Sequence, residues 1–161
     1  MEGILLKERA SDRNPKREAI NSRISRAANE AGLPLSARSV IPNTRLAHEL
    51  GKWAQSMGMG DEFHLAVFRT YFGNNKDIGK ISILTDIADQ LGLPKNEAQK
   101  VLDTRSFKDS VDSDWAWSLK VDPDVIPSFM INEKLYINPQ KYELYEKFMA
   151  DHYVKKRNPI Q

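Results

Sequence analysis

The chain contains no cysteine. Disulfide staples, thiolate zinc sites and any thiol chemistry by its own side chains are therefore excluded. Long apolar runs are missing as well: no stretch approaches the roughly 18 residues a membrane-spanning helix needs. The first residues, "MEGILLKERASD", lack the basic start, extended apolar core and small-residue cleavage site of a secretory signal, so a cytoplasmic location is expected. No Gly-rich phosphate loop, G-x-S-x-G elbow or dense carboxylate cluster occurs. The excess of one charge sign over the other is small too. The net charge of +2 over 161 residues is too small to argue for a nucleic-acid partner. None of the three histidines, His48, His64 and His152, has metal-ligand spacing with another. Neither a metal nor a cofactor is expected.

What is present is a succession of amphipathic segments. Ile4 to Leu6 predict a short strand. Asn14 as a cap, Pro15 in the first turn and Gly32 as a left-handed stop bracket a helix, whose stripe is Ile20, Ile24, Ala27, Ala28 and Ala31. "LPLSARSVIPN" reads as a connector with two prolines. A second helix follows from Asn43, with Leu46, Leu50, Trp53, Ala54 and Met57 on one face and Gly58 and Gly60 at its end. Asp61 is the expected cap of a third. Its apolar residues Phe63, Leu65, Val67, Phe68, Tyr71 and Phe72 surround the axis and predict burial on several sides. "ISILTDIADQLG" predicts a fourth helix. Pro94 opens a fifth, carrying Ala98, Val101 and Leu102. A sixth runs from Phe107 to Leu119, with Phe107, Val111, Trp115 and Leu119 at steps of four. The pattern then changes. "VIPSFMI" and "KLYI" around "NEK" predict a hairpin, and Asn138 and Pro139 start a last helix bearing Tyr142, Tyr145, Met149 and His152. An isolated hairpin is only marginally stable in water, so something must complete its sheet.

"VIPSFMINEKLYI" followed by a helix resembles the C-terminal half of the thioredoxin fold. It is similar to the DsbA-like thioredoxin group, in the branch of FrnE-type disulfide oxidoreductases and 2-hydroxychromene-2-carboxylate isomerases. "LPLSARSVIPNTRLAHELGKWAQ" resembles the entrance to that branch's inserted helical lobe. "DEFHLAVFRTYFGNNKDIGKISILTDIADQLGL" resembles the lobe's middle. The resemblance implies a mostly helical α/β protein with a truncated thioredoxin-like fold and a C-terminal hairpin plus helix. A partial core of residues 1–12 and 121–161 would carry a helical lobe and connecting helix at residues 13–120. It also implies a cis bond before Pro127, which lets Ile126 offer its N–H and C=O to an extended peptide. Ile126, Pro127 and Ser128 are the implied substrate-binding residues. Asn43 and Thr44 stand at the lobe entrance, near the family's cleft.

The sequence departs from the family in one respect. Cys-x-x-Cys is absent, and the first strand, cysteine turn and first helix have no counterpart ahead of the helix at Asn14. "EGILLKERASD" resembles the second core strand instead. No catalytic residue is expected, because the thiolate is the nucleophile of disulfide exchange; the serine used by the isomerase relatives falls in the same missing segment. Whether any enzyme activity is left stays open. Without the first strand, Phe129 to Ile131 would form an unpaired apolar edge, which recruits another strand. The Ile4–Leu6 strand, a second copy of the chain or a longer gene product could supply it. A homodimer is the favoured expectation, with a peptide or thiol compound as ligand and neither membrane nor nucleic acid as partner.

Simpler readings stand beside these. A proline at the first residue of a strand needs no function. Asn43 or Thr44 would cap the second helix in any case. His48 and His64 read as structural, and Trp53 and Trp115 as core; Trp117 lies off the stripe. Arg9, Arg13, Lys16, Arg17, Arg23 and Arg26 are interspersed with Glu2, Glu8, Asp12, Glu18 and Glu30, so a solvated helix face is favoured over a phosphate-contacting patch. The rival functional reading is a non-enzymatic helical module that uses this basic first helix on a protein or nucleic acid.

Overall fold

A computed structural model describes residues 4–5, 15–37, 40–121, 128–131, 135–137 and 141–154. The chain divides into two compact units, Met1–Asp114 and Trp115–Gln161.

The first unit is largely helical. Its short ladder pairs β1 (Ile4–Leu5) antiparallel with β2 (Val40–Ile41), Ile4 opposite Ile41 and Leu5 opposite Val40. The expected connector thus contains a strand. The partner of β1 is β2, and among the described residues this ladder stays separate from the hairpin further on. Helix α1 (Pro15–Glu30) forms as predicted. Gly32, at φ 65°, stops it while Leu33 N–H reaches back to the Ala28 carbonyl at 2.9 Å. Its stripe is not packed into the core: Ile20 and Ile24 stay about half exposed.

The core is built by α2 (Arg45–Ser56), α3 (Gly60–Phe68), α4 (Ile81–Gln90) and α5 (Lys95–Thr104). Leu50 and Ala54 of α2, Phe63 of α3, Leu84 and Ala88 of α4 and Ala98 of α5 are wholly buried, with Trp53, Ile87 and Leu102 beside them. Each of the fully buried leucine and phenylalanine side chains contributes on the order of 1.5–3 kcal/mol. Gly58 and Gly92, at φ 78° and 77°, end α2 and α4. Asp61 lies within the first turn of α3, whose N-cap is Met59. There its charge still favours the helix N-terminus. Burial all round α3 is not found. Phe63 and Val67 face inward, whereas Leu65 and Phe68 are more than half exposed. The chain continues through a π-helix at Arg69–Gly73, where Asn74 N–H reaches the Arg69 carbonyl at 3.0 Å. Ser36 docks on this widened turn: its N–H bonds the Phe72 carbonyl at 2.7 Å, and its hydroxyl donates to the Gly73 carbonyl.

Helix α6 (Lys108–Val121) begins in the first unit and ends in the second. Its four-residue stripe is buried at Val111. Trp115, expected in the core, is 48% exposed and Leu119 78%. In the second unit β3 (Phe129–Ile131) pairs antiparallel with β4 (Leu135–Ile137), in the register Phe129–Ile137, Met130–Tyr136 and Ile131–Leu135. The turn residues 132–134 lie outside the described residues, as do Asn138 and Pro139. The last helix, α7, spans Tyr142–Asp151 with Lys141 at its N-cap. Tyr145 of α7 meets the Phe129 ring edge-on at 5.1 Å. Among the residues of this unit whose side chains are described, none is buried.

Candidate functional site at the start of α2

Pro42, which is buried, leads from β2 into Asn43, Thr44 and α2. The cap of α2 is made by Asn43: its Oδ1 accepts the Arg45 N–H at 3.0 Å. Thr44 occupies the N-cap position without a side-chain cap bond, and its carbonyl takes the first helical hydrogen bond, from His48 N–H at 3.1 Å. Asp77, Ile78 and Gly79 come up against this turn. Asp77 Oδ1 holds the Gly79 N–H at 2.9 Å, and Ile78 is almost completely buried. A Cβ on Gly79 would lie 3.0 Å from the Asn43 carbonyl oxygen and 3.1 Å from Asp77 Oδ1. Glycine is what lets the two backbones approach. "IPNT" and "DIG", two stretches that carried the sequence resemblance, are thus in direct contact.

One turn along α2 lies a residue that sequence reasoning missed. Glu49 is fully buried. Its Oε1 accepts Arg45 Nε at 2.7 Å and Arg105 Nη2 at 2.6 Å, and its Oε2 accepts Arg105 Nε at 2.7 Å. Arg45 also donates to the Lys108 carbonyl at 2.9 Å and to Asp112 Oδ1 at 2.6 Å, and Lys108 Nζ reaches Asp112 Oδ2 at 2.6 Å. The hydrogen bonds from Arg105 hold the Glu49 carboxyl below the usual carboxylate range. Burial works against them and Arg45 works with them. A carboxylate with three charged donors on it is no proton acceptor for chemistry. Its role is to fasten the entrance of α2 to the end of α5 and the start of α6. Arg105 does this from the left-handed region, at φ 54°. The Arg45–Glu49 spacing of four was readable as a helical ion pair; the Arg105 partner, 56 residues away, was not.

His48 lies on the exposed side of α2, yet enough protein packs around its imidazole to lower its pKa by desolvation; His64 and Arg45 push the same way, and Asp114 opposes them. The His64 ring lies over Gly51, its Nε2 only 3.0 Å from where a Cβ would stand. Lys52 Nζ pairs with Asp114 Oδ2 at 2.6 Å. Among the described residues no group of three carboxylates or histidines is placed to hold a metal, and no helix is long and apolar enough to cross a membrane.

Of the five residues expected to bind substrate, Asn43 and Thr44 stand together at the start of α2. Ser128, half-buried, sits in the second unit immediately before β3. Ile126 and Pro127, and with them the expected cis bond, lie outside the described residues.

Residues 3–150 match the family described as DSBA-like thioredoxin domain. The chain belongs to that family, and its mostly helical α/β fold is that of a thioredoxin-like DsbA domain. It is also similar to an uncharacterized protein of Bacillus subtilis (strain 168), YwbO, with 27% identity over 132 residues. That match covers 80% of this chain and 66% of the relative, just under two thirds of the relative's length.

Proposed function

We propose that this chain is a FrnE-type DsbA-like domain that binds an extended peptide or a thiol compound without exchanging thiols and disulfides through its own residues. The observation that carries the reading is a family match over residues 3–150 in a sequence without cysteine. The residues assigned to ligand binding are Ile126, Pro127 and Ser128, by the family's mode of taking an extended peptide on a backbone edge, together with Asn43 and Thr44. The partial core is assigned to residues 1–12 and 121–161 and the lobe to residues 13–120. A second copy of the chain supplies the strand beside β3. That assignment is supported by a three-residue strand of Phe, Met and Ile whose ladder, among the described residues, is to β4 alone. Such an edge carries none of the charges that usually keep strands apart.

The test has two parts. Insulin reduction by dithiothreitol is expected to run at the buffer rate with the protein present; clear acceleration overturns the loss of exchange. Isotope-labelled protein titrated with glutathione, and separately with an unstructured peptide, is expected to shift the amides of Ser128 and Asn43. Spectra unchanged at millimolar ligand overturn the binding site.

A further inference from the structure

No further inference is drawn: the strongest candidate, the exposed apolar patch of Leu65 and Phe68 beside the Phe72 ring at the end of α3, carries nothing because no feature of the structure shows what covers it.

Discussion

Two glycines make opposite demands. At Gly79 an added methyl group would press on the Asn43 carbonyl and the Asp77 carboxylate, at 3.0 and 3.1 Å. Backbone cannot step aside cheaply, so Gly79→Ala is expected to cost about 1–3 kcal/mol, as overpacking does. At Gly51 the obstacle is the tip of an exposed histidine, which can swing away. Gly51→Ala should therefore keep most of the roughly 1 kcal/mol that alanine gains over glycine inside a helix. Urea midpoints of the two variants, the first lowered and the second unchanged or raised, check both statements. Glu49 behaves differently. Glu49→Ala leaves Arg45 and Arg105 without their shared carboxylate, and breaking a buried pair costs about 3–5 kcal/mol. The pH dependence follows from the same residues. Glu49 is depressed in the folded chain, so its contribution is complete above the ordinary glutamate value of about 4.3 and is lost as pH falls below it. His48 is depressed as well, so the unfolded chain takes up its proton first and stability begins to fall below about pH 6.5. Unfolding midpoints between pH 7.5 and 5.5 should drop for the wild type and drop less for His48→Gln.

At the scale of elements, the helices were legible where an apolar stripe ended on a glycine able to take positive φ. That holds for α1, α2 and α4, closed by Gly32, Gly58 and Gly92. It failed where the signal was short or circular. Val40 and Ile41 are two residues between prolines and connectors, too few to show a period of two. The apolar residues of α3 ring the axis, so the sequence could not say which of them would stay outside. Trp115 continues the α6 stripe in register, but the packing that buries Val111 does not extend to it. Asn43 was found because caps leave a local mark; the Glu49 clamp was not, because its decisive partner is distant in sequence. Burial also orders the elements by protection, since local opening is governed by buried apolar contacts. In native-state hydrogen exchange, amides of α2, α4 and α5 should be the slowest, and those of β3 and α7 faster by at least an order of magnitude. Equal protection in both sets would contradict the packing described.

For the whole molecule, the family was legible from the order of motifs along the chain, and the match over residues 3–150 bears out the family. The proposed dimer makes a sharp prediction, because the chain offers no thiol of its own. In Met130→Cys, a two-fold antiparallel pairing centred on β3 sets the two introduced sulfurs across from each other, with Cβ atoms about 4.5–5.5 Å apart, close to disulfide range. Mild oxidation should then yield a cross-linked species of twice the 18.4 kDa chain mass, and sedimentation of the wild type should show the same mass. A monomer in sedimentation at high concentration, with no cross-link after oxidation, refutes the dimer.

Arg105 holds the region where glycine is most at ease, and does so because of what its guanidinium grips. Replacing it by glycine would relax the main chain and take two of the three hydrogen bonds from the buried Glu49 carboxylate, leaving the one from Arg45. Replacing it by lysine would keep the charge and lose the fork that meets both carboxylate oxygens. The position is thus closed to the two substitutions that look mildest, and drift there is expected only together with a change at Glu49.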